Sequence, residues 1–138
     1  MKKEDLRIFA AGWFTGLVTA FLLWMVCDFA TAQTSTDIIK ELRRQKVPHS
    51  HIVLAQARIE TGNFSSPLFR RTNNLFGMKN GERYARYKTW RDSIRDYKLR
   101  ISSRYKGGSY YMFLKNIGYA QDPEYNAKLR HIVRTSNH

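Results

Sequence analysis

From Ile8 to Cys27 the chain carries twenty uncharged residues in succession, most of them apolar, whereas beyond Gln33 apolar positions recur singly or in pairs among charged ones. As a helix the first run would span roughly 30 Å, the thickness of a bilayer's hydrocarbon core. An uncleaved membrane anchor over residues 8–27 is the favoured reading. A cleavable signal peptide competes with it, because Ala30-Thr31-Ala32 before Gln33 has the small-x-small pattern of a cleavage site. Lys2, Lys3 and Arg7 precede the run and the next basic residue is Lys40. The basic tail is therefore expected to stay cytoplasmic, which delivers the rest of the chain beyond the membrane. Residues 1–32 read as tail plus anchor or signal peptide, and 33–138 as one domain large enough to bury a core.

Within that domain the periodicity is mostly helical. After a polar linker, Gln33 to Thr36, the spacing of Ile38, Ile39 and Leu42 predicts a helix over Asp37–Lys46, ended by Pro48. Ser50 is placed to cap a second helix from His51 to about Thr61, with Gly62 closing it. Ser65-Ser66-Pro67 predicts a short helix finishing by Thr72, followed by turn residues Asn73 and Asn74. Asn80-Gly81, between Met78-Lys79 and Tyr84, predicts a type I′ hairpin. Thr89 to Asp92 resembles a capping box and introduces Trp90, Ile94, Tyr97 and Ile101 on one face. Ser109 opens a helix carrying Tyr110, Phe113, Leu114 and Ile117, closed by Gly118. Asp122-Pro123 opens a last one, with Tyr125, Leu129, Ile132 and Val133 on one side. The pattern is that of a mainly α, α+β domain with one short hairpin.

Charge narrows the partners. The chain has 24 Lys and Arg against 11 Asp and Glu; three of each precede Gln33, leaving 21 against 8 in the domain. Such a surface concentrates polyanions: nucleic acid, anionic headgroups or an acidic bacterial wall. A solvated face kept soluble by charge is the plainer alternative. Export argues against nucleic acid, and none is expected as a partner. Cys27, the only cysteine, lies in the apolar run, so no internal disulfide or cysteine metal site can form. His49, His51, His131 and His138 show no ligand spacing, and no metal or other cofactor is expected. There is no phosphate-binding glycine loop and no serine or cysteine nucleophile with a base.

One carboxyl stands out. Glu60 follows Ala57, Gln56 and Val53 by three, four and seven residues, so it shares their largely apolar face at the negative end of the helix dipole. A carboxyl held there should have a raised pKa, as a general acid working near neutral pH requires; a solvated end-of-helix glutamate is the competing reading.

The residues around it carry a resemblance. Ala55 to Gly62, then Asn73-Asn74-Leu75-Phe76-Gly77-Met78-Lys79, Tyr84-Ala85-Arg86-Tyr87, Trp90 to Ile94, and Gly118 to Tyr125 strongly resemble, in order, the glucosaminidase family of bacterial autolysins, glycoside hydrolase family 73. The match covers about residues 37–134. It implies a lysozyme-like helical domain that hydrolyses the β-1,4 bond on the reducing side of N-acetylglucosamine in peptidoglycan, with Glu60 as general acid. The family places a second carboxylate in the β region, which is cut here to one hairpin whose only acid is Glu82. Glu82 is thus the candidate base for activating water, with a solvated turn residue as its alternative. An inverting mechanism needs its carboxyls about 6.5 to 9.5 Å apart; failing that, the substrate's own N-acetyl group could act as nucleophile. Tyr119 matches a cleft tyrosine near the scissile bond, its alternative being a core aromatic. Asn73, Asn74, Phe76 and Tyr87 are the expected substrate-binding residues. Two other functions compete: a lytic transglycosylase of the same fold, and a non-catalytic basic protein binding wall or nucleic acid. The sequence leaves oligomeric state open.

Overall fold

Among the described residues, 34–136 of a computed structural model, the apolar periodicity becomes six α-helices and one small hairpin. The expected anchor or signal segment, residues 1–32, lies outside the described residues. No helix within them is long and apolar enough to cross a membrane.

Within the described residues helix α1 covers 34–44, so Thr34 to Thr36, expected as part of a linker, are already helical; short polar side chains lower helix propensity by too little to exclude them. It ends before Pro48 because the residue preceding a proline is forced out of the helical region. Lys46 turns left-handed (φ 57) and the Val47 N–H donates to the Leu42 carbonyl, closing the helix as a glycine usually would. Helix α2, Ser50–Glu60, begins one residue earlier than expected. Its N-cap is His49, and the Ser50 hydroxyl, expected to cap, instead donates back to the Val47 carbonyl.

Helix α3, Pro67–Thr72, is capped by the Ser66 hydroxyl, which accepts from the Phe69 N–H. Strands β1, Lys79–Asn80, and β2, Arg83–Tyr84, pair antiparallel with Asn80 opposite Arg83. The corner is therefore Gly81-Glu82, one residue later than the expected Asn80-Gly81. Only Gly81 has positive φ there (62), the sign pattern of a II′ rather than a I′ turn. Helix α4, Trp90–Arg100, has its capping box, with the Asp92 carboxylate accepting from the Thr89 N–H and hydroxyl. A 3-10 turn, Ser102–Arg104, leads to α5, Tyr110–Asn116, and α6, Tyr125–Thr135.

The core gathers on α2, which buries Ile52, Val53, Ala55, Gln56 and Ala57, most of its circumference, and packs against α6. Ile38 and Leu42 of α1, Ile94 and Tyr97 of α4, Leu114 of α5 and Leu129 of α6 complete it. Each such aliphatic or aromatic burial contributes about 1.5–3 kcal/mol, which is what fixes the end of α2 relative to its neighbours.

Candidate active site

Glu60 is the last residue of α2, and the chain beyond it is tightly held. The buried Thr61 hydroxyl donates to the Ala57 carbonyl and accepts from the Phe64 N–H. One carboxylate oxygen, Oε1, accepts from the Tyr125 hydroxyl of α6 at 3.0 Å. The other lies against the backbone at Gly77, where an added Cβ would come within 3.1 Å of Oε2. The carboxyl thus sits between α6 on one side and the loop after α3 on the other.

That loop is shaped by Asn74. Its amide nitrogen donates to the Met78 and Ala85 carbonyls at 2.8 and 3.0 Å, and its oxygen accepts from the Phe76 and Met78 N–H groups. Asn74 is buried and uses its full donor and acceptor capacity within the fold, so it has no group left for a sugar hydroxyl. Asn73 takes the left-handed cap position of α3 (φ 54), and its amide nitrogen donates to the Tyr87 and Lys88 carbonyls. Tyr119 clamps the same loop, its hydroxyl donating to the Phe76 carbonyl at 3.0 Å.

Around Glu60 opens a cleft of about 390 Å³ lined in part by Phe76, Gly77, Tyr119, Arg100 and Arg104. Among the described residues its one acidic lining residue is Glu60. Of the residues expected from sequence, Glu60, Phe76 and Tyr119 come together here. Asn73, Asn74 and Tyr87 do not line the cleft, and neither does Glu82, which is exposed at the hairpin corner. Tyr87 instead donates from its hydroxyl to the Asp96 carboxylate of α4 at 2.6 Å. Asp96 in turn receives Arg100, whose guanidinium also reaches the Lys79 carbonyl and the Asn80 side chain. A two-residue ladder cannot hold itself together, and this network ties the hairpin to α4.

The electrostatics suit an acid. Glu60 reaches solvent through the cleft mouth, yet the protein packed about its carboxyl strips it of water and raises its pKa. The Tyr125 hydrogen bond opposes that shift without cancelling it. Burial also pushes the Tyr119 and Tyr125 hydroxyls well above the usual tyrosine range, so both remain donors. Behind them the Tyr97 hydroxyl donates to Gln56 Oε1 at 2.7 Å and shares a hydrogen bond with Tyr110, a buried polar thread beneath the site. Gln56 acts on the Tyr125 hydroxyl as well, although its buried amide nitrogen makes no hydrogen bond of normal geometry.

Tyr125 is the site residue that periodicity hides. At helical spacing from Leu129 it reads as core, and only its place in the Gly118–Tyr125 string marks it. Among the described residues no group of three or more His, Cys, Asp or Glu could hold a metal ion.

A family model described as mannosyl-glycoprotein endo-beta-N-acetylglucosaminidase, the glucosaminidase family, matches residues 35–138. Among solved structures, that of a peptidoglycan hydrolase from Sphingomonas sp. A1 is similar at a TM-score of 0.54 and 25% identity, covering 72% of this chain and 83% of that one. No curated protein matches the chain significantly.

Proposed function

The chain belongs to the glucosaminidase family, and on that premise we propose that its domain is a lysozyme-like peptidoglycan hydrolase cleaving the β-1,4 bond after N-acetylglucosamine. The observation that carries the reading is a cleft whose one acid, Glu60, is held by Tyr125 and has a raised pKa. Protonated Glu60 donates to the glycosidic oxygen as an oxocarbenium-like sugar develops.

A cleft with one acid favours a reaction needing no second carboxylate. The acetamido carbonyl of the cleaved sugar attacks the anomeric carbon, the leaving sugar takes the Glu60 proton, and the Glu60 carboxylate then activates the water that opens the ring so formed. Tyr119 donates to Phe76, so its remaining lone pairs suit the acetamide N–H and would aim the carbonyl at the anomeric carbon. Glu82 as base is the alternative, requiring the hairpin to swing its corner toward the bond. The two differ in outcome: substrate assistance retains the anomeric configuration, and a Glu82-activated water inverts it. Reading residues 1–32 as an anchor or signal places this chemistry in the bacterial envelope.

A zymogram against purified peptidoglycan, with mass spectrometry of the fragments, tests the reading. Reducing N-acetylglucosamine ends are expected, with clearing abolished in a folded Glu60→Gln variant. Fragments ending in 1,6-anhydro-muramic acid would replace hydrolysis by the transglycosylase reaction, and clearing by Glu60→Gln would remove the acid assignment.

A further inference from the structure

Three cations, Lys79, Arg100 and Arg104, line the cleft together with its single acid. They are not equivalent. Arg100 is committed to Asp96, Asn80 and the Lys79 carbonyl, where it supports the hairpin. Lys79 lays its ammonium 5.0 Å from the centre of the Tyr84 ring. Arg104, at the end of the 3-10 turn, is exposed, and its guanidinium meets no hydrogen-bond or ion-pair partner among the described residues. None of the three is among the groups that set the proton affinity of Glu60. Of the three, Arg104 is therefore the one whose charge is left to meet whatever fills the cleft.

The sugar rings of a β-1,4 glucosamine strand do not need it, because their hydroxyl and acetamide groups are neutral. Wall glycan differs at every second sugar, which bears an ether-linked lactyl group whose carboxyl is either free or extended by a peptide with carboxylates of its own. We infer that Arg104 is a specificity-determining residue whose guanidinium takes a carboxylate projecting from the glycan strand, so that the enzyme favours anionic wall glycan over a neutral strand with the same linkage. The inference rests on the glycan-cleaving reading above. An arginine suits the role because its planar fork can receive both oxygens of a carboxylate. Arg104 is solvent-exposed, so the gain is that of a screened pair, about fivefold in kcat/KM and weaker as salt rises.

The test compares soluble glycan strands in three forms: with stem peptides, with the peptides removed by an amidase to leave lactyl carboxylates, and with every carboxylate capped as a methylamide. The wild-type protein is expected to cleave the capped strands about fivefold less efficiently than an anionic form, the gap closing near 1 M salt. Arg104→Gln should bring the anionic-to-capped ratio close to one at unchanged melting temperature. Arg104→Lys should keep part of the ratio, and Lys79→Gln should lower it less. Lys115→Gln, an exposed cation outside the cleft, should keep the wild-type ratio. A loss confined to peptide-bearing strands assigns the stem carboxylates, a loss confined to the amidase-treated strands assigns the lactyl carboxylate, and an equal loss on both shows that Arg104 takes either one. Capped strands cleaved as well as anionic ones, or an Arg104→Gln ratio equal to the wild type's, would overturn the inference while leaving glycan cleavage standing. If the wild type cleaves no form, glycan cleavage fails and the inference with it.

Discussion

Gly77→Ala separates two effects that usually arrive together. Gly77 has φ 61, a left-handed conformation that an L side chain adopts at a cost of about 1–2 kcal/mol. For a domain of this size that is a melting temperature lowered by about 5–12 °C. The second effect is local: the new Cβ would stand 3.1 Å from Glu60 Oε2 and 3.9 Å from Cδ, so the carboxyl must retreat by a few tenths of an ångström. It is pinned on its other oxygen by Tyr125, and retreat strains that hydrogen bond. Misplacing a reacting group by 1 Å costs about a hundredfold, so this shift should lower kcat/KM by about tenfold. Gly81→Ala supplies the comparison, since φ is 62 there but a Cβ would meet nothing within 4 Å. Thermal melting and clearing of a peptidoglycan suspension should show similar destabilisation in both variants and an activity loss in Gly77→Ala alone. Full activity in Gly77→Ala, or equal losses in both, would refute the placement of Glu60 against this loop.

Tyr125→Phe removes a hydrogen bond that holds the Glu60 pKa down. As the proposed general acid Glu60 acts when protonated, so activity should fall as pH rises through its pKa; the variant should therefore move that limb of the kcat/KM profile to higher pH, and a limb moving down would contradict the assignment. Glu41, bonded by Arg44 and Gln45, has its pKa lowered to about 2. A depressed carboxyl stabilises the fold above its ordinary value of 4.5 and loses that contribution as pH falls toward 2. Arg44 is largely in solvent, so Glu41→Gln should cost only about 1–2 kcal/mol at pH 7 and flatten the acid unfolding curve over that window. Tyr97→Phe leaves buried Gln56 Oε1 without its donor and should cost about 1–3 kcal/mol in denaturant unfolding.

What the sequence made legible was whatever depends on neighbours along the chain. The Thr89-Asp92 cap, the Ser66 cap and the α4 stripe all involve partners within a few positions, and the structure reproduces them. The misreadings share a cause. Ser50 has the chemistry of a cap, yet a carbonyl three residues back was a better partner than the helix N-terminus. Asn80-Gly81 fits a hairpin corner, but pairing Asn80 with Arg83 moves the corner one residue on. Equally hidden in the string are the carbonyls that the Asn73 and Asn74 amides reach, at Tyr87, Lys88 and Ala85, 11 to 15 residues away. The contact between Tyr125 and Glu60 spans 65 residues and exists only because α6 lies on α2.

The same distinction between local and distant forces explains how a carboxyl can have its pKa raised in so basic a domain. An excess of 21 cations over 8 anions should favour every carboxylate, and on Coulomb attraction alone Glu60 would be an unusually strong acid. Yet none of those cations figures among the influences on it, and its pKa is raised. Exposed charges farther away than about 8–10 Å are screened by water and salt, whereas desolvation acts at contact distance, where no salt intervenes. Lys79, Arg100 and Arg104 line the cleft, and of these Arg100 is occupied by Asp96 and the hairpin carbonyl. Freeing it should matter more to Glu60 than removing any surface lysine. A domain with a large cationic excess can therefore still hold one carboxyl whose pKa is raised, because desolvation at contact outweighs screened charge at a distance.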